Sequence, residues 1–236
     1  MMGSENQSER PGNVDQEDAA RGRPVDAWES EEQLSPFSMT LLTIGLESLL
    51  LVIAFSGSMF FHFYDLAQPP SKWLGENGLA RFLFGCLLAL PLFGTVVWGL
   101  PCVPLLKRMM KSIEDAIAPL FQRMSFYQMV LISIFAGVGE EVFFRWFLLG
   151  GLSQYLSWWA ACGIASLIFG VCHYLNFTYF LLTTLMGVLL AAIYLYGGLL
   201  AAVACHATYD VLALWYLKQK ALRHAEGRDE PVTDET

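Results

Sequence analysis

Two adjacent glutamates and an arginine stand in a stretch otherwise built of Val, Phe, Trp and Leu: GEEVFFRWFLLG, residues 139–150. Glu141 and Arg145 are four apart, which puts them on one face of a helix, in reach of an ion pair that lowers the cost of burying both. Glu140 lies about 100° around that helix. The two acids therefore cannot share one role: the arginine holds one while the other faces a cavity. Two further polar sites follow at helical spacing. FGVCH sets Phe169 and His173 one turn apart, and HATYD sets His206 and Asp210 likewise. A carboxylate in a low-dielectric cavity can take a proton from water. Histidines beside it can orient that water, donate to a developing oxyanion, or bind a metal as neutral imidazole. The chemistry implied is hydrolysis.

Each element also has a plainer reading. Glu141 with Arg145 makes a structural clamp, His173 alone a helix-to-helix hydrogen bond, and His206 with Asp210 a satisfied interhelical pair. Together the plain readings weaken, because two Glu, two His, one Asp and one Arg are costly to keep in apolar segments for packing alone. Glu47 is a single acid in another apolar segment with no helical partner four residues away, and it reads as a structural hydrogen-bonding residue. His62 and His224 fall at a helix end and in the tail and read as solvated. No HExxH is present to set two histidines on one helical face. Glu140, His173 and His206 could still form an open three-ligand zinc site if their helices converge. A metal-free site with a glutamate base and a histidine oxyanion donor is the other solution.

The elements that must position these residues are membrane helices. The 236-residue chain is 55% hydrophobic and 15% charged, too apolar for a soluble domain of that length. About 20 apolar residues cross the hydrocarbon layer as a helix. Six segments qualify: 37–61, 79–103, 126–150, 158–174, 177–196 and 198–217. The fold class expected is all-α, a polytopic bundle of about six spanning helices. One amphipathic helix in LLKRMMKSIEDAIAPLFQRM, residues 105–124, should lie in the interface or serve as a solvated connector. Pro91, Pro101 and Pro104 should kink or end the second helix.

Lys107, Arg108, Lys111 and Arg123 follow the second span, and Lys218, Lys220, Arg223 and Arg228 follow the last. Since cytoplasmic loops are rich in Lys and Arg, the expected location is the plasma (inner) membrane with both termini cytoplasmic. Residues 1–36 carry nine Asp or Glu against three Arg and read as a disordered acidic tail, neither signal nor transit peptide. Residues 37–217 form the membrane domain, with the reactive core at 126–217, and 218–236 a polar tail. The net charge of −8 comes largely from the two ends and argues against nucleic acid as a partner. Five cysteines, with no CxxC pair, read as small buried hydrophobes.

EEVFFR fits EExxxR, FGVCH fits FxxxH, and HATYD fits Hxxx followed by Asn or Asp, in that order on successive apolar segments. Over residues 126–217 the chain resembles the CPBP family of intramembrane proteases, also called the CAAX prenyl protease 2 or Abi family, which includes Rce1-type CAAX proteases and bacteriocin-processing proteins. The resemblance implies a membrane endopeptidase in which Glu140 activates water with help from His173, and Glu141 and Arg145 give support. His206 and Asp210 would stabilise the oxyanion, with Asp210 standing where Asn is common. It leaves zinc and a metal-free glutamate mechanism both open. The partners implied are the lipid bilayer and a membrane-associated peptide or protein, with prenylated CAAX proteins, leader peptides and membrane regulators as candidates. From other classes, a proton-coupled transporter and a catalytically inactive scaffold or immunity protein could use the same buried residues.

Overall fold

The computed structural model describes residues 35–61 and 77–225 together with Gly227. The acidic tail expected over 1–36 lies outside these but for Ser35 and Pro36, as do His62, residues 228–236 and the His224 side chain. Among the described residues there are helices and no strand. They are α1 (Pro36–Phe60), α2 (Gly78–Gly94), α3 (Pro104–Gln122), α4 (Phe126–Glu141), α5 (Trp158–Cys172), α6 (Phe177–Gly197) and α7 (Leu199–Ala225). A π-helical stretch, Val142–Leu149, continues α4 without a break into a last turn, Gly150–Leu152.

Local chemistry explains the boundaries. Ser125 and Gln128 form a reciprocal capping box that starts α4. Ser157 and Asn176 accept backbone N–H bonds at the starts of α5 and α6. Gly198, at φ 80°, makes the left-handed turn between α6 and α7. Pro91 removes a backbone donor inside α2, which gives way to a π turn at Thr95–Gly99 and a 3-10 turn at Leu100–Cys102 before Pro104 opens α3.

Among the described residues, four helical stretches are long and apolar enough to cross a membrane: Pro36–Phe60, Gly78–Gly99, Phe177–Gly197 and Leu199–Arg223. The other two expected spans differ for physical reasons. The third carries Glu140, Glu141 and Arg145 and changes from α to π winding just after the two acids. The fourth, α5, has 15 residues, roughly 22 Å at 1.5 Å per residue, against about 30 Å of hydrocarbon. It stops at Cys172, so His173 stands at the end of a helix and not within one.

The last helix is the hub. It packs against α2, α3, α4 and α6, and its inner face is small: Ala201, Ala202, Ala204 and Cys205 are all buried. Small residues let membrane helices approach closely. α5 crosses α6 in the same way at Gly170, where an added methyl would run into the Thr184 hydroxyl. Large apolar side chains such as Leu46, Leu87, Leu181 and Leu195 point outwards, as they must where lipid is the solvent. All five cysteines are free, but only Cys162 and Cys205 are buried; Cys102 and Cys172 are exposed, since an apolar segment has an outward face as well as an inward one. The helix α3 is amphipathic, with Met109 and Ile113 buried and Lys107, Arg108 and Lys111 exposed. It is tied to α7 by Lys220 Nζ on Glu114 Oε2 at 2.6 Å. Lys218 Nζ donates to the Met124 carbonyl, so the two basic segments of the chain meet.

Candidate active site

All six residues singled out by type and spacing come together where α4, α5 and α7 converge. Glu141 is fully buried and Arg145 is 2% exposed, with Arg145 Nη1 3.0 Å from Glu141 Oε1. The contact is an ion pair without a well-directed hydrogen bond through Nη1. Arg145 Nη2 donates to the Gly187 carbonyl of α6 at 3.3 Å, and the guanidinium lies over the Phe169 ring at 4.7 Å. The arginine thus joins α4, α5 and α6 through one charge. It belongs to the π-helical stretch, where the Gly150 N–H reaches back to the Arg145 carbonyl. Such π turns are frequent at functional sites.

Phe169 organises the two histidines. Its carbonyl lies 2.8 Å from His173 Nδ1, and a carbonyl only accepts, so Nδ1 carries the hydrogen. The rings of Phe169 and His173 are stacked at 4.4 Å, and His206 meets the same phenyl edge-on at 6.2 Å. His206 Nδ1 lies 2.8 Å from Glu141 Oε1, and there it donates to the carboxylate that Arg145 already holds.

Both imidazoles therefore present Nε2 to the remaining acid. His173 Nε2 is 3.5 Å from Glu140 Oε1 and His206 Nε2 is 3.9 Å from Glu140 Oε2. Asp210 Oδ2 stands 3.5 Å from the same His206 Nε2. Two adjacent glutamates thus do different work: Glu141 fixes Arg145 and His206, while Glu140 faces two oriented nitrogens. A carboxylate oxygen and an imidazole lone pair repel unless a proton or a water lies between them, so this is a place that handles protons. The site opens at His173 and Asp210, whose side chains are 30% and 28% exposed.

Residue type and converging helices made Glu140, His173 and His206 a possible open three-ligand zinc site. Among the described residues no group of three His, Cys, Asp or Glu side chains is arranged to hold a metal ion.

Two residues enter that the sequence did not mark for this site. Glu47 of α1, expected to be a satisfied structural acid, accepts no hydrogen bond through its buried Oε2 and packs directly against Gly139. Tyr179 of α6 lies within electrostatic reach of Asp210 and Glu140. Nothing in the sequence separates it from the other tyrosines; its place beside the Asn176 cap is visible only once the helix start is known.

Residues 122–212 match the family model described as type II CAAX prenyl endopeptidase Rce1-like. No curated protein and no solved structure matches the chain. The matched segment holds Glu140, Glu141, Arg145, His173, His206 and Asp210, and with the apolar helices it supports an integral membrane protein and, at the level of the family, a protease of the CAAX endopeptidase type. Over residues 122–212, then, the chain is similar to the Rce1-like type II CAAX prenyl endopeptidases.

Proposed function

We propose that this protein is an intramembrane endopeptidase that hydrolyses a peptide bond near the C-terminus of a membrane-associated, prenylated protein, with Glu140 as the base that activates water. The observation that carries this reading is the pair of imidazole Nε2 atoms aimed at the two oxygens of one carboxylate, at 3.5 and 3.9 Å. The other nitrogen of each ring is engaged by a fixed acceptor.

Water held beside Glu140 gives it a proton as the oxygen attacks the scissile carbonyl. With its Nδ1–H committed to Glu141, His206 donates through Nε2 only as the imidazolium, and in that form, stabilised by Asp210, its Nε2–H faces the oxygen that gains charge. Glu141 and Arg145 do no chemistry in this scheme. They hold the His206 Nδ1–H and so the ring in one orientation, as a buried acid does for a catalytic histidine elsewhere.

The test is purified protein in detergent, wild type beside Glu140→Gln and His173→Ala, with an internally quenched farnesylated CAAX peptide. Cleavage by the wild type, lost in Glu140→Gln and unaffected by a chelator, is the expected result. Cleavage lost on chelation and restored by zinc would replace the metal-free scheme. A Glu140→Gln variant that stops proton-coupled flux, or one that leaves partner binding unchanged where no cleavage exists, would favour the transporter or scaffold reading instead.

A further inference from the structure

Glu47 lies eleven residues into α1, outside the matched segment 122–212, yet the structure brings it to the reaction centre. The approach is close because residue 139 is a glycine. A Cβ there would stand 2.6 Å from Glu47 Oε2, 2.9 Å from the Glu47 carbonyl and 3.1 Å from the Glu47 Cβ. Gly139 directly precedes Glu140, so α1 sets its carboxyl against the same turn of α4 that carries the base. Glu47 Oε2 is buried and accepts no hydrogen bond, and Glu140 Oε2 is in the same state. The charges that act on Glu47 are those of the site: Glu140 most strongly, then His206, Asp210 and His173.

An acid in a spanning helix costs about 2.5–3.5 kcal/mol on insertion scales, and such residues mark function. A structural acid would recover that cost through hydrogen bonds, and Oε2 makes none. Glu47 packs on the turn of α4 that carries Glu140, and two carboxyl groups near one another in a low-dielectric wall resist ionising together, which makes one of them the natural holder of a proton. Peptide hydrolysis uses two functions, a base for water and an acid for the departing amine, and a second carboxyl lets them reside on separate groups.

We propose that Glu47 is the second catalytic carboxyl of this site and delivers the proton to the leaving nitrogen. This inference rests on the endopeptidase reading. Water transfers one proton to Glu140 while its oxygen bonds to the carbonyl carbon. The Glu47 carboxyl gives its proton to nitrogen as the C–N bond breaks. The proton held by Glu140 then passes to the Glu47 carboxylate, which returns the pair to one charge and one proton. The sum is peptide and water giving acid and amine.

The test compares the farnesylated CAAX peptide with the same peptide carrying a thioester at the scissile bond, because a thiolate departs without a proton. A general acid contributes about 10²–10⁴-fold. In Glu47→Gln, kcat on the amide should fall about a hundredfold or more with KM within about twofold, while kcat on the thioester falls less than about threefold. The retained thioester activity shows that the site is folded. Were Glu47→Gln not to fold, the same amide-to-thioester ratio is read on Glu47→Asp, which displaces the proton donor and should lower the ratio. Amide and thioester rates that fall together, or neither falling, overturn the proposal. If that happens while Glu140→Gln is inactive, the endopeptidase reading stands without it; if wild type cleaves neither substrate, both fall.

Discussion

Glu141 and Arg145 are inseparable in this site, because each is the main compensation for the other's charge at almost no exposure. Removing one partner of a buried pair costs about 3–5 kcal/mol. Arg145→Ala should therefore lose stability by about that amount, read as a lowered midpoint of thermal unfolding in detergent, and should lose activity with it. Glu140 differs: no cation is committed to it, so Glu140→Gln should leave the unfolding midpoint within a few degrees of wild type while abolishing cleavage. His206→Ala falls between. It strips Glu141 of its 2.8 Å donor and leaves a buried acceptor short of a partner, at about 1–3 kcal/mol, and it also removes an oxyanion donor. These differences follow from which atoms face which, and spacing alone did not assign them. That Glu141 and Arg145 could pair was legible, because four residues is one helical turn. That Glu141 would also hold His206, 65 positions away, was not.

At the level of elements, the motifs were legible where polar residues interrupt an apolar run, and opaque where a helix departs from regular winding. FGVCH was readable because Phe169 and His173 share a face, and the structure adds the reason for the pair: the phenylalanine supplies both a carbonyl and a stacking ring to the histidine. The end of α5 at Cys172 was not foreseen. The hydrophobic run continues to Tyr174, and only tertiary contacts decide where the chain leaves the helix. The π winding after Glu141 is similarly silent, since a bond that skips five residues leaves no mark on composition. Glycine contacts decide how the helices sit. Gly170→Ala should push α5 off α6, because its methyl meets the Thr184 hydroxyl and the Phe180 carbonyl. Overpacking of this kind costs about 1–3 kcal/mol. The displacement would reach His173 three residues on, so the variant should lose more activity than stability, read as a kcat reduced at temperatures where the protein remains folded.

Across the whole molecule, the site is assembled from helices far apart in sequence and held by one hub, α7, which carries His206 and Asp210 and touches α2, α3, α4 and α6. The amphipathic α3 is joined to the far end of that hub by Lys220 and Glu114. The pair is partly exposed, so Lys220→Ala should change stability by less than about 1 kcal/mol and leave cleavage intact; a large loss of activity would show that α3 shapes the site. An all-α membrane bundle was legible from composition and apolar runs alone, because no other fold satisfies the backbone in lipid with such segments. The contribution of α1 was not legible, since a lone glutamate at position 47 acquires meaning only from a glycine 92 residues away. The central claim is that one carboxylate, aimed at by two oriented imidazoles, performs hydrolysis. The most direct measurement is mass spectrometry of the farnesylated CAAX peptide after incubation with wild type and Glu140→Gln, both purified in detergent and both shown to be folded. The account predicts a single C-terminal peptide released by the wild type and none by Glu140→Gln. Equal release by both proteins, or none by a folded wild type, would contradict it.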